Sequence, residues 1–194
     1  ARRSPRINPR PLALLCAISG SMERYTRVRL SFAYAAEHGA ERVEAFVFAT
    51  RLTRITRQLQ GHDPDLALDR VLQSADDWSG GTRIGEAIET FNRRFARRVL
   101  GHGATVVVIS DGWDRGDPAE LQAAVARLQR ACHRLIWLSP LLGSPASAPL
   151  TPGLQAALPS CDAVAPAPTL PRLRATWPLP PDARRRRPVP RPAP

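Results

Sequence analysis

The 194-residue sequence contains no lysine, so all 28 of its basic residues are arginines. We attribute this absence to coding bias in a GC-rich genome rather than to chemistry. Without lysine the chain cannot form the Gly-x-x-x-x-Gly-Lys loop that holds nucleotide phosphates in many ATPases. A motor of that class is therefore excluded from this chain.

Cysteine is also scarce, and Cys16, Cys132 and Cys161 lie far apart. No Cys-x-x-Cys spacing exists, which excludes a zinc site or a disulfide framework based on that pattern. Cys16 and Cys132 have apolar neighbours and are predicted to be core thiols. No apolar run approaches the ~20 residues that a membrane span needs, and no signal peptide is recognisable. We therefore predict a cytoplasmic protein without a transmembrane segment.

The net charge of +11 comes almost entirely from the two ends of the chain. Residues 1–10 carry four arginines, and residues 166–194 carry seven arginines and one aspartate, so residues 11–165 hold a net charge of only +1. A nucleic-acid-binding face requires clustered charge on a folded surface, so we expect no nucleic-acid partner. We interpret residues 1–10 as an Arg/Pro-rich linker and 171–194 as a disordered Pro/Arg-rich tail. The tail offers peripheral contact with a membrane or an acidic partner.

Between these ends, short apolar runs alternate with segments of helical spacing. We predict strands over 12–17, 43–49, 105–109, 134–138 and 161–165, and an edge strand over 52–59. Predicted helices cover 22–37, 63–75 and 118–131, and another begins at Gly80-Gly81-Thr82 and extends to Val99. This alternation favours an α/β fold with a doubly wound, mostly parallel sheet flanked by helices.

Polar residues follow the predicted strands at the places where such a sheet binds ligands. Ser19 and Ser21 follow the first strand, Thr82 opens a helix, and Asp111 follows the most apolar strand. Ligands bind outside the carboxyl ends of the strands in these folds, so we expect the four side chains to converge. Hydroxyl and carboxylate oxygens form the ligand set that hard cations such as Mg²⁺ prefer.

These residues resemble the metal-ion-dependent adhesion site (MIDAS) of von Willebrand factor A (VWA) domains, which reads Asp-x-Ser-x-Ser, then Thr, then Asp. Ser19, Ser21, Thr82 and Asp111 match this pattern, whereas Ala17 replaces the first Asp. Longer stretches are similar to the CoxE-like family over residues 11–170. They read LLCAISGSMERY, FVFATRLTRIT, DWSGGTRIGEAI, VISDGWDRGDP, RLIWLSPL and GLQAALPSCDAVAP.

The resemblance implies a Rossmann-like VWA fold over 11–170 and a function that is not catalytic. CoxE-like proteins are similar to A-domain partners of MoxR-type AAA+ ATPases. Their family is implicated in maturation of carbon monoxide dehydrogenase and related molybdenum hydroxylases. We therefore expect an adaptor or chaperone with two protein partners, the ATPase and a metalloenzyme client. The rival hypotheses are a metal-dependent phosphohydrolase and an adhesion-type ligand-binding domain.

Ala17 weakens the expected Mg²⁺ site, because the missing aspartate would hold metal-bound water and add negative charge. Loss of an outer-shell partner typically costs ~10–100-fold in metal affinity. Asp114, Glu23 and Asp77 are near in sequence and are candidates to compensate. Three interpretations stay open: a metal-free partner site, a site completed by a partner's carboxylate, and an aspartate replaced to test the site.

Two tryptophans flank the predicted metal face. Trp78 and Trp113, together with Asp114, are predicted partner contacts because aromatic side chains are enriched at interfaces. Packing within the loops is the alternative for both tryptophans. Four arginines line the polar side of the predicted helix after Thr82, where we favour a solvated face over a docking patch. They are Arg93, Arg94, Arg97 and Arg98.

Overall fold

The computed structural model describes residues 10–18, 30–31, 33–34, 42–60, 63–74, 80–142 and 150–166. Within these ranges the strands are β1 (Leu12–Ala17), β2 (Val43–Phe48), β3 (Leu52–Arg54), β4 (Thr105–Ile109), β5 (Arg134–Ser139) and β6 (Ala163–Pro166). The α-helices are α1 (Thr56–Leu59), α2 (Pro64–Ser74), α3 (Ile84–Arg94), α4 (Ala96–Val99), α5 (Pro118–Ala131) and α6 (Pro152–Ala157). A 3₁₀ turn, Leu158–Ser160, follows α6.

The six strands form one sheet in the order β3-β2-β1-β4-β5-β6. Every pairing is parallel except that of β3 with β2, which confirms the mostly parallel α/β sheet expected from the sequence. In β1, Leu12 pairs with Val43 of β2 and Thr105 of β4. The strand order reverses direction at β1, so β1 and β4 enclose the switch point of the sheet.

Both faces of the sheet are covered, which explains why its central strands are apolar without interruption. Ala13, Leu15 and Ala17 of β1 belong to one buried cluster, while Leu12, Leu14 and Cys16 alternate into a second. Helices α3 and α5 contribute side chains to the first cluster. There Trp137 is fully buried, and its Nε1 donates to the Ser110 carbonyl at 3.0 Å.

The predicted edge strand over 52–59 is wrong beyond Arg54. The strand ends because the Thr56 hydroxyl, rather than a main-chain carbonyl, accepts the Ala45 N–H at 3.0 Å. The same hydroxyl donates to the Glu44 carboxylate at 2.9 Å, and the chain turns into α1. The Thr56 hydroxyl thus takes the place of a main-chain carbonyl of β3 as hydrogen-bond acceptor for β2. The alternating sequence pattern gives no sign of this exchange.

The long helix predicted after Thr82 is interrupted at Phe95, where φ is −122°. The Phe95 ring packs 4.9 Å from the Phe46 ring and 6.3 Å from the Phe91 ring, measured between centroids. Aromatic pairing with the sheet therefore accompanies the break into α3 and α4. Helix α6 is an addition to the prediction, and the last strand begins at Ala163 rather than at Cys161.

The first predicted helix and the two predicted chain ends fall largely outside the described residues. Residues 30–31 and 33–34 are helical, while the remainder of the helix predicted over 22–37 is outside the described residues. The predicted linker and tail fall almost wholly outside them, so the domain boundaries stay predictions. The three cysteines form no disulfide, and burial raises the pKa of Cys132 and Cys161 to about 12, with a further contribution from the Asp162 charge. No helix in the described ranges has the length and apolar character that crossing a bilayer requires.

The aromatic cluster gives a direct test of the packing between the sheet and α3. Phe91 is fully buried, and its ring lies 5.2 Å from that of Phe46 at an interplanar angle of 87°. Truncation of a buried phenylalanine typically costs ~3–5 kcal/mol. We expect Phe91→Ala to lower the free energy of unfolding by that amount in urea titrations. Leu66→Ala, at a position that is 54% exposed, is the matched control and should change it by less than ~0.5 kcal/mol.

Candidate functional site

The candidate site lies at the carboxyl ends of β1 and β4, where the sheet order reverses. The described segments that surround it are the end of β1, the loop over 80–83 before α3, and the loop over 110–117 after β4. Open α/β sheets bind ligands in this crevice because the connections on its two sides lead to opposite faces. The topology therefore places Thr82 and Asp111 at the edge predicted from the sequence.

Asp111 is only 8% exposed, and local hydrogen bonds fix its loop. Its Oδ1 accepts the Trp113 N–H at 3.1 Å, and the Ser110 hydroxyl accepts the Gly112 N–H at 3.1 Å. Gly112 has φ of +81°, and a Cβ there would lie 2.4 Å from Thr151 Oγ1. Only glycine fits this close approach, which lets the loop turn beneath Asp111.

Thr82 is 7% exposed, and main-chain hydrogen bonds join its loop to two neighbouring segments. The Arg115 N–H donates to the Thr82 carbonyl at 3.0 Å, which connects the loop to the segment after Asp111. The Arg83 N–H donates to the Ala49 carbonyl at 2.9 Å, which connects it to the end of β2. Thr82 and Asp111 therefore lie on loops that are hydrogen-bonded to each other.

Asp114, predicted as a partner contact, accepts hydrogen bonds from main-chain N–H groups at the amino terminus of α3. Its Oδ1 accepts the Ile84 N–H at 2.8 Å, and its Oδ2 accepts the Gly85 N–H at 3.3 Å. Oδ1 also accepts the Gly116 N–H at 3.2 Å. The carboxylate thus caps a helix from a distant loop and complements the positive end of the helix dipole.

The structure describes only one of the two tryptophans predicted as partner contacts. The Trp113 side chain is 63% exposed beside Asp111, which is unusual for so large an apolar group. Trp78 lies outside the described residues, as do Ser19 and Ser21. The assignment of these three positions to the site therefore stays a prediction.

Ala17 ends β1 and packs into the first apolar cluster, where it is 3% exposed. Its methyl group lies on the same face of the sheet as Leu15. An aspartate at this position would place a carboxylate at the boundary between the core and the site. The Ala17 side chain supplies no ligand oxygen, and its surroundings are apolar on the core side.

Two residues that support the loops of the candidate site were not predicted from the sequence. Thr151 is 5% exposed, and its hydroxyl donates to the Asp111 carbonyl at 3.0 Å. The Thr-Pro pair that opens α6 was the available indication of a helix start there. Arg115 donates from Nη1 to the Gly80 carbonyl at 3.1 Å, and its Nε lies 2.4 Å from where a Cβ of Gly81 would be.

The described residues offer the oxygen ligands that a hard cation prefers, but they supply little negative charge. Thr82 and Asp111 supply a hydroxyl and a carboxylate, the oxygen ligands that Mg²⁺ favours. Within the described ranges, no group of three or more His, Cys, Asp or Glu side chains is arranged to hold a metal. A cation at this edge would therefore depend on hydroxyl ligands and on a single carboxylate, Asp111.

The cap made by Asp114 can be tested independently of any partner. Asp114→Ala removes the acceptor for two N–H groups of α3, and loss of such caps costs ~0.5–2 kcal/mol. We expect the midpoint of urea unfolding to fall accordingly. Asp69→Ala, on the exposed side of α2, is the control and should stay within ~0.5 kcal/mol of the parent. An unchanged midpoint for Asp114→Ala would contradict the capping role.

Solved structures share this fold at low sequence identity. A von Willebrand factor type A protein from Catenulispora acidiphila is 14% identical with a TM-score of 0.60, and the match covers 87% of this chain and 41% of that one. BatB from Bacteroides thetaiotaomicron is 18% identical with a TM-score of 0.54, covering 86% and 95%. Proximal thread matrix protein 1 from the mussel byssus, with a zinc-occupied MIDAS motif, is 16% identical with a TM-score of 0.57, covering 87% and 44%.

At these identities the structural matches establish the fold alone. No curated protein sequence matches the chain. The family is established by the sequence model described as "VWA domain containing CoxE-like protein", which matches residues 1–173. The resemblance of the longer stretches to this family is thereby confirmed, whereas the MIDAS-like site residues stay a prediction. The chain belongs to the family of VWA-domain-containing CoxE-like proteins.

Proposed function

We propose that this chain is a non-catalytic adaptor that works with a MoxR-type AAA+ ATPase in the maturation of a metalloenzyme of the carbon monoxide dehydrogenase or molybdenum hydroxylase type. The proposal rests on the CoxE-like family and on one observation at the switch point of the sheet. Trp113 is 63% exposed directly beside the buried Asp111 and the loop of Thr82. Exposed tryptophans surrounded by polar groups are frequent anchors of protein interfaces.

The engagement of the carboxylates supports an adaptor over a hydrolase. General acid–base or two-metal hydrolysis requires carboxylates that are free to move protons or to hold metal. Both oxygens of Asp114 accept helix N–H groups, and Oδ1 of Asp111 accepts the Trp113 N–H. Asp111 is therefore left without a paired free carboxylate among the described residues of this loop.

We further propose that Mg²⁺ binds this chain weakly, through Ser19, Ser21, Thr82 and Asp111. The donor chemistry supports the choice of ion, and the zinc-occupied MIDAS of the mussel byssus protein is a precedent for metal at this place in the fold. Bound there, the cation would accept a carboxylate from a partner. A cytoplasmic location is proposed because none of the three cysteines forms a disulfide.

Capture of the ATPase tests the proposed interface. A purified MoxR-type ATPase should bind the full chain, and Trp113→Ala should weaken binding at least tenfold, as expected for a central aromatic anchor. Asp111→Ala should weaken it as well. Leu66→Ala removes an exposed apolar side chain away from this interface, on α2, and should leave the affinity unchanged. Equal affinity for all four proteins, measured by biolayer interferometry, would contradict this interface.

The metal assignment is tested by restoring the missing aspartate. In Mg²⁺ titrations followed by calorimetry, Ala17→Asp should bind at least tenfold more tightly than the parent chain. Its melting temperature should rise with Mg²⁺, because the ion compensates the carboxylate placed at a 3%-exposed position. Ala17→Asn, which adds a similar side chain without charge, should show no such rise. Equal Mg²⁺ affinity in parent and Ala17→Asp would indicate that another carboxylate compensates.

A further inference from the structure

A groove of about 280 Å³ lies beside the candidate site, between the β2–β3 turn and helix α3. Residues 50–52 form one wall, and Glu86, Ala87, Thr90 and Arg94 form the other. Neither Thr82 nor Asp111 lines it. The main-chain bond from Arg83 to Ala49 connects the groove to the loop of Thr82, so the two features are neighbours on one surface.

The charges in the groove are unbalanced. The Glu86 carboxylate is already engaged by Arg83, with Nη1 to Oε1 at 2.6 Å, and this contact raises the pKa of Arg83. On the next turn of α3, Glu89 accepts from Arg93 at 2.6 Å and from Arg127 at 2.7 Å. Arg51 and Arg94 are exposed, and within the described ranges neither forms an ion pair.

The lining also has an apolar part. Leu52 is partly buried against the first apolar cluster and Ala87 is almost fully buried, so the floor between the two arginines has an apolar part beside Thr50 and Thr90. Small-molecule pockets commonly enclose ~300–1,000 Å³, so this open groove suits a few side chains of a larger partner. Because Glu86 lies on the same wall, the groove suits carboxylates spaced along a segment better than the continuous charge of a phosphate backbone. A segment that alternates carboxylates with aliphatic side chains matches both the charge and the floor.

We propose that this groove binds an acidic segment of a partner protein, with carboxylates paired to Arg51 and Arg94 and an aliphatic side chain against Leu52. The sequence pattern around Arg94 favoured a solvated face, and the groove makes it a docking surface. The binding requires no metal and does not involve Thr82 or Asp111. It therefore goes beyond the proposed role of the switch-point face.

The probe is the synthetic peptide acetyl-Asp-Leu-Glu-Leu-Asp-amide, titrated into the ¹⁵N-labelled full chain and followed by amide chemical shifts. The expected shifts cluster at residues 50–52 and 86–94. Arg51→Glu/Arg94→Glu should raise the Kd about tenfold, since two attractive contacts become repulsive. The matched control, Arg70→Glu/Arg130→Glu, reverses two other exposed arginines on α2 and α5 and should change the Kd less than twofold.

A third variant predicts a gain. Glu86→Gln removes the negative charge from the wall and releases Arg83, so the acidic peptide should bind two- to threefold more tightly. The neutral peptide with Asn and Gln in place of Asp and Glu should not bind. A purely structural role for these residues would not produce that opposite change.

Other results would overturn the proposal. Peptide shifts confined to other residues, or an unchanged Kd for Arg51→Glu/Arg94→Glu, would show that the groove is not the site. Preferential binding of a single-stranded oligonucleotide or of anionic phosphatidylserine vesicles through the same two arginines would assign it to another class of partner. Because Asp111→Ala leaves the groove intact, loss of ATPase capture without loss of peptide binding would separate the two surfaces.

Discussion

The geometry of this surface depends on the hydrogen bonds that the Asp114 carboxylate accepts from helix α3. The carboxylate accepts the first N–H groups of α3 from a loop that follows β4, and so binds two segments separated by thirty positions in sequence. Helix N-termini leave N–H groups without partners, and a charged acceptor satisfies them while complementing the dipole. The position of Thr82, just before the helix, and of Asp111, just before the capping loop, follows from this contact.

The same contact removes a carboxylate from metal chemistry. A cation site of the MIDAS type relies on few charged ligands, and Asp114 is the described acid closest in sequence to Asp111. Because its oxygens are engaged by N–H groups, it is poorly placed to compensate for Ala17. Of these two carboxylates only Asp111 stays outside the helix cap, and the exposed side chain of Trp113 lies beside it.

Helix α3 connects the two proposed surfaces. Its amino terminus lies at the switch point, and its exposed side forms a wall of the groove that ends at Arg94. The arginines at its start and along it are not equivalent, since Arg83 and Arg93 are paired with glutamates whereas Arg94 has no ion pair among the described residues. Net charge alone did not reveal this difference, because the region between the two ends of the chain is close to neutral.

The sequence by itself determined the family and the mostly parallel sheet, and it predicted that Thr82 and Asp111 lie at one edge of that sheet. It did so because buried parallel strands must be continuously apolar, and because ligand residues follow those strands directly. Tertiary structure decided what depends on distant contacts. Thr56 ended β3 by satisfying Ala45, Phe95 divided a helix by packing on Phe46, and Asp114 became a cap instead of a free acid. The pairing state of each arginine and the groove beside Arg51 were likewise decided there, because they arise between segments far apart in the chain.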